Sequence, residues 1–288
     1  MKIRFDTKSS TSKRLHKKQQ SLKKYSRALI KSKRSAILNR KVVVEVFFPA
    51  DAHKSGKRYP LLILNDGQDS KAVKIMACVE QLVQNGEIEE IIIAGVYAHD
   101  RMREYGVAKM PDYKKRGDKA DKYAGFITRE LIPYLQDQYP LADAAHVIAG
   151  YSLGGLSALD IAWSHPEQFN KVGVFSGALW WRSIDAADRK FDEQKHRIMH
   201  QRIRKSKTKP ELKFWFQTGT HDETSDRNHN GIIDSIDDTI DLMEELMKKG
   251  YQAYHDIQYL EIVDGTHHQK TWAKAMPYFL RWAFPVKD

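Results

Sequence analysis

The sequence predicts an α/β fold: one mostly parallel central sheet with helices on both faces. Two observations carry that reading. Strand-like and helix-like segments alternate along the chain, and several of the strand-like ones are apolar without interruption. An unbroken apolar run suits a strand buried on both faces, and strict alternation with helices suits crossovers between parallel strands. A third observation, a serine framed by glycines at a strand–helix junction, fits the edge of such a sheet.

The first segment of the body, "KVVVEVFFP" (41–49), alternates and stops at a proline, as an early antiparallel strand would. "YPLLILND" (59–66) and "EIIIAGVY" (90–97) read as buried strands, and the stretch between them has helical periodicity and stops at Gly86. "KYAGFITRELIPYLQDQY" (122–139) is an amphipathic helix. There follow strand "HVIAGY", helix "GGLSALDIAWSHP", and strands "KVGVFSG" and "LKFWFQTG". Helix "TIDLMEELMKKG", strand "AYHDIQYLEIV" and helix "QKTWAKAMPYFLRWAF" close the chain. No repeat and no second apolar unit interrupts this pattern, so residues 35–288 read as one domain.

Charge divides the chain differently. Residues 1–34 hold 13 Lys or Arg against one acid, Asp6, while the other residues hold 35 basic and 36 acidic side chains. The net charge of +11 therefore belongs to a basic N-terminal arm. Leu15, Leu22, Tyr25, Leu29 and Ile30 fall at loose helical spacing there, so the arm reads as a basic helix or a solvated tail. Its aromatic content is low, which argues against base stacking and makes nucleic acid an unlikely partner. The sequence has no apolar run long enough to span a bilayer and no signal-peptide pattern, and its single cysteine is Cys78. A cytoplasmic protein without disulfides is expected. Oligomeric state is not legible.

Chemistry concentrates at "AGYSLGG" (149–155). A Gly-x-Ser-x-Gly between an apolar strand and a helix is the context of a nucleophile elbow, with Ser152 raised above the carboxyl edge of the sheet. Gly150 and Gly154 are expected because a Cβ at either position would collide across the turn. A serine nucleophile needs a base, and the base needs an orienting carboxylate; both should follow on later loops at the same edge. After "LKFWFQTG" come Asp222, Glu223 and Asp226, with Asp222 the leading candidate. After "AYHDIQYLEIV" come His267 and His268, with His267 leading. The oxyanion would meet the main-chain N–H groups of Leu153 and Gln68, the latter in "DGQD" (66–69). Asp66 and Asp69 are expected to turn away and cap the next helix. Arg103, Glu104 and Tyr105, with Trp180 and Trp181, fall on loops at the active edge and are candidate substrate contacts.

These segments resemble the putative-esterase branch of the α/β-hydrolases, which includes esterase D, feruloyl esterases and enterochelin esterases. The resemblance spans roughly residues 35–288. It rests on "RYPLLILNDGQD", "REYG", "AGYSLGGLSALDIAWSHPEQF", "VGVFSGALWW", "TGTHDE" and "DGTHHQKTW". It implies an α/β-hydrolase fold, a Ser152–Asp222–His267 triad and an oxyanion hole from Gln68 and Leu153. The implied reaction is ester or thioester hydrolysis of a small molecule through an acyl-serine, with no cofactor for catalysis. Where esterase D carries a His-Gly strand end, this chain has "NDGQD".

One motif lies outside that scheme. "DRNHNGIIDSID" (226–237) follows the spacing of a twelve-residue calcium loop, with Asp226, Asn228 and Asn230 at positions 1, 3 and 5. Gly231 takes the turn, the Ile232 carbonyl position 7, Asp234 position 9 and Asp237 position 12. A structural Ca2+ bracing the loop after Asp222 is the expectation. Two other readings of the whole chain stand beside the enzyme: a catalytically silent hydrolase fold that binds a ligand, and docking to an anionic polymer through the basic arm.

Overall fold

The computed structural model describes residues 25–31 and 33–286. Eight strands form one sheet: β1 (Tyr25–Ile30), β2 (Val44–Pro49), β3 (Leu61–Asn65), β4 (Ile92–Val96), β5 (His146–Tyr151), β6 (Phe169–Phe175), β7 (Lys213–His221) and β8 (Ile257–Thr266). Their spatial order is β1-β2-β4-β3-β5-β6-β7-β8. β2 runs antiparallel to both its neighbours, and every other pairing is parallel. That is the α/β-hydrolase arrangement the sequence predicts.

The uninterrupted runs are explained by the two faces they serve. Leu61 and Ile63 of β3 enter one core cluster, while Leu62 and Leu64 enter the other. Helices α1 (Ile75–Gln84) and α7 (Gln269–Ala283) cover the second face through Val79, Leu82, Trp272 and Phe279. The opposite face is covered by α2 (Ala120–Phe126), α3 (Ile132–Gln138), α4 (Leu153–Ser164), α5 (Ile198–Lys205) and α6 (Asp234–Lys248). Helix α4 is buried from Leu153 to Trp163, on all sides rather than along one stripe, because it lies between the sheet and the outer helices. Among the described residues no helix is long and apolar enough to cross a membrane.

The N-terminal arm departs from expectation where it is described. Tyr25–Ile30 is not helical. It pairs antiparallel with β2 over its whole length, from Tyr25 opposite Pro49 to Ile30 opposite Val44. The cause is tertiary: β2 would otherwise be an open sheet edge, and Tyr25 is pinned by the Ile91 N–H, which donates to its hydroxyl at 3.0 Å. The sheet therefore begins ten residues before the expected domain start. Leu15 and Leu22 lie outside the described residues.

Candidate active site

The carboxyl edge of the sheet is where the backbone departs most from easy conformations. Asp66 after β3, Ser152 after β5 and Ser176 after β6 all have positive φ, at 60°, 54° and 44°. Non-glycine residues in this region store strain of order 1–3 kcal/mol each and persist only where packing over-determines them. Ser152 meets that condition. Its N–H donates to Phe175 O at 2.9 Å, and its carbonyl accepts from Gly155, Leu156 and Ala178. A Cβ on Gly150 would stand 2.3 Å from the Gly154 carbonyl oxygen, so the tight turn excludes it as expected. Gly154 is required for a different reason. A Cβ there would meet Asp66 Oδ2 at 2.6 Å and Asn65 Cβ at 3.2 Å, a collision with the neighbouring strand end rather than across the turn.

That neighbouring strand end is tied to the serine helix by polar bonds. Asn65 Nδ2 donates to Gly154 O at 2.8 Å, and the Tyr123 hydroxyl donates to Asn65 Oδ1 at 2.7 Å. The acids of "DGQD" do not cap a helix: neither the turn at Gly67–Asp69 nor α1 has a side-chain cap. Asp66 is instead buried and held by Arg101, with Nε to Oδ1 at 2.7 Å and Nη2 to Oδ2 at 3.0 Å. Burial raises the Asp66 pKa, and Arg101 opposes that. Gln68 stays exposed, its Nε2 donating to Asp66 Oδ1. The main-chain N–H groups of Gln68 and Leu153 meet no acceptor among the described residues, so both are free donors at this edge.

Of the three acids after β7, Asp222 is the one whose charge acts on a candidate histidine, His267. The Gly219 N–H donates to its Oδ2 at 2.9 Å, while Oδ1 is buried with no hydrogen-bond partner. Burial raises its pKa, opposed by the Gly219 N–H, the nearby Ser176 hydroxyl and the charge of His267. His267 in turn has its pKa lowered by burial; the Asp222 charge raises it and Arg101 lowers it further. Asp226 is spent locally, accepting from the Asn230 and Gly231 N–H groups. Glu223 has its pKa raised by burial and by Asp234 and Asp238. His268 caps α7, its Nδ1 accepting from the Lys270 N–H at 3.1 Å.

The aromatic residue that joins the serine and histidine turns is Trp272, the last residue of "DGTHHQKTW", to which the sequence reading gave no role. His267 packs edge-on against it at 5.4 Å, and it stacks on Tyr151, the residue before the serine, at 4.8 Å. Its Nε1–H donates to Ser176 Oγ at 3.0 Å. Among the described residues no direct hydrogen bond joins Ser152 Oγ to His267; the link runs through this indole.

Most of the expected substrate contacts are structural. Tyr105 is fully buried, its hydroxyl accepting from the Asp66 N–H at 3.0 Å. Glu104 is buried and paired with Arg40 at 2.6 Å. Trp181 is buried with its Nε1–H donating to Met110 O, and such an indole is core, worth about 3–5 kcal/mol on truncation. Arg103 is tied to Asp118 on the surface. Trp180 alone stays half-buried, with the Arg116 and Arg182 guanidinium groups 4.9 Å and 6.0 Å from its ring. Arg101, two residues before the expected "REYG" contacts, is the residue the reading missed. It lies on the single helical turn Arg101–Glu104, so it faces a different way from Arg103.

In the acidic loop, Asn228 and Asn230 each donate their Nδ2 to Asp237 Oδ2, at 2.9 Å and 2.8 Å. Asp234 is drawn elsewhere, to the Arg227 N–H at 2.9 Å and its guanidinium at 3.1 Å. Gly231 has φ 86°, as the turn position requires, and Ile232 donates its N–H to Asn230 Oδ1. Among the described residues no group of three or more His, Cys, Asp or Glu is arranged to hold a metal ion.

Residues 35–283 match the family described as "Putative esterase". The chain belongs to this family. It is accordingly a carboxylic ester hydrolase. It is 26% identical over 238 residues to the uncharacterized protein YjcH of Bacillus subtilis, covering 82% of this chain and 88% of that protein. A shorter match, 42% over 57 residues, joins the esterase to the iron(III) enterobactin esterase of Escherichia coli, 19% of this chain and 14% of the other. Among solved structures, a ferulic acid esterase superposes with TM-score 0.68 at 19% identity, covering 91% of this chain and 98% of that one. The enterobactin esterase FES of Shigella flexneri gives 0.65 at 20% identity, over 90% of this chain and 59% of that one.

Proposed function

We propose that this esterase works through Ser152 as nucleophile, His267 as general base and Asp222 as the carboxylate that orients the base. One observation carries the reading: Asp222 Oδ1 is buried without a hydrogen-bond partner, and His267, along with the Ser176 hydroxyl, acts on this carboxylate. A buried unpaired carboxylate oxygen is costly, and an imidazole Nδ1–H is the donor that would satisfy it while leaving Nε2 free toward the serine. His267 takes the proton from Ser152 as Oγ attacks the ester carbonyl carbon, and the oxyanion is met by the N–H groups of Leu153 and Gln68. The imidazolium then gives that proton to the leaving alcohol. A water, deprotonated by the same imidazole, attacks the acyl-serine and releases the acid with Ser152 reprotonated.

The relatives' substrates, ferulic acid esters and enterobactin, direct the choice of assay. A panel of short-acyl p-nitrophenyl esters, feruloyl esters and acetylated sugars defines the acyl range. Ser152→Ala should lower kcat by about 10⁵-fold on the best of them. Turnover unchanged in that variant would sink the Ser152 reading, and no turnover of any ester by the wild type would favour a silent hydrolase fold.

We also propose calcium at 226–237, because the side chains of Asn228 and Asn230 already converge on Asp237 Oδ2. The ion would replace two amide hydrogen bonds and brace the loop after Asp222, with Asp234 surrendered to Arg227. A melting temperature indifferent to millimolar calcium and to chelator would remove it.

A further inference from the structure

Beyond β3 from the serine, the esterase has a concavity that the triad does not line. A cleft of about 520 Å³ opens between the loop after β3, the first turn of α1 and the outer strands β1 and β2. Phe47, Met76 and Tyr97 give it apolar wall, and Lys71 and Lys74 stand exposed along it. Neither lysine has an ion-pair partner among the described residues. The acid in the lining, Glu45, is already neutralised: its side chain is buried under Arg27, and the Tyr97 hydroxyl donates to it at 3.4 Å. The cleft is therefore an apolar slot with two uncompensated cations.

Its position relates it to the reacting edge. Gln68 lines the cleft and also belongs to the loop whose N–H faces the oxyanion in the mechanism above. Gln68 follows β3, one ladder spacing from β5, and Tyr97 follows β4, two spacings or about 10 Å away, while the walls on β2 and β1 stand one and two spacings further. A medium-length chain attached at Ser152 spans the nearer interval. Arg27 comes from β1, which precedes the residues that match the family.

We propose that this cleft is the subsite for the distal part of the substrate, an apolar acyl chain ending in a carboxylate. The chain lies along Phe47, Met76 and Tyr97, and the carboxylate sits between Lys71 and Lys74. Arg27 determines specificity indirectly, by masking the Glu45 charge that would repel it. This deepens the Ser152 hydrolase reading and rests on it, naming the substrate class as ω-carboxylated acyl esters.

The test compares p-nitrophenyl hydrogen suberate with p-nitrophenyl octanoate, equal in chain length and different by one charge, in the full-length protein. Wild type should prefer the suberate by about tenfold in kcat/KM, the size two solvent-screened charge contacts give, and less at high salt. The preference should invert in Lys71→Glu/Lys74→Glu and shrink in Arg27→Gln. The ratio within each variant is the readout, so a general loss of activity cancels. Equal rates in wild type, or a ratio unmoved by the lysine reversal, overturns the proposal. Calorimetry of monomethyl suberate on Ser152→Ala separates the two readings. Binding lost on lysine reversal supports the subsite even if Ser152 proves not to be the nucleophile, and no binding overturns it.

Discussion

The serine turn and the histidine turn stand at the same sheet edge and are built on different principles. Ser152 is locked by four main-chain hydrogen bonds and by glycines that nothing larger can replace. His267 follows the irregular end of β8, where the register slips between Ile262 and Thr266, and it is exposed on one side. Its orientation depends on Trp272 and on the charge of Asp222. Ser152, the proposed nucleophile, is placed by the backbone, and His267, the proposed base, by the side chains around it.

The sharpest challenge to that contrast is to exchange the histidines. His267→Ala should lower kcat by about 10⁴-fold, whereas His268→Ala should cost only a helix cap, about 1 kcal/mol in denaturant melts with activity retained. Equal losses would mean the two imidazoles share the role. Gly150→Ala tests the rigid turn: the added methyl meets backbone, so destabilisation of about 2–3 kcal/mol should accompany loss of activity, read by thermal melting and ester assay. Trp272→Phe tests the soft one. It removes the hydrogen bond to Ser176 and alters the face against His267, and kcat should fall about tenfold with KM little changed.

The smallest effect is on pH. Lowered by burial and by Arg101, the His267 pKa puts the acid limb of kcat/KM below the ordinary histidine value of about 6.5, since the base must be neutral to act. Arg101→Gln removes a positive charge that disfavours the imidazolium. The pKa then rises and the acid limb moves to higher pH. A limb that moves down or stays would show that Arg101 does not act on this imidazole.

Elements whose evidence is local were legible in the sequence. The buried strands read directly from unbroken apolar runs, because a strand enclosed on both faces has no polar side to mark it. The Ser152 turn read from its glycines, although the reason for Gly154 did not, since Asp66 and Asn65 approach it only after folding. What escaped depends on partners distant in the chain. Trp272 looks like any core indole of an amphipathic helix, and nothing near Arg101 announces Asp66. Tyr105, Glu104 and Trp181 were placed on the correct loops, but loop position does not say which side chain turns inward. Tyr25–Ile30 reads as part of a basic helix or solvated tail because Tyr25, Leu29 and Ile30 fit loose helical spacing among basic residues, and the open edge of β2 makes it a strand.

That strand carries a practical warning. A gene trimmed to the boundary of family similarity at residue 35 would strip β2 of its hydrogen-bonding neighbour along six residues and leave the tyrosine that closes over Ile91 behind. Bare strand edges of that length recruit one another, so such a fragment should come out of cells as inclusion bodies or as sticky oligomers, while the longer form stays dispersed.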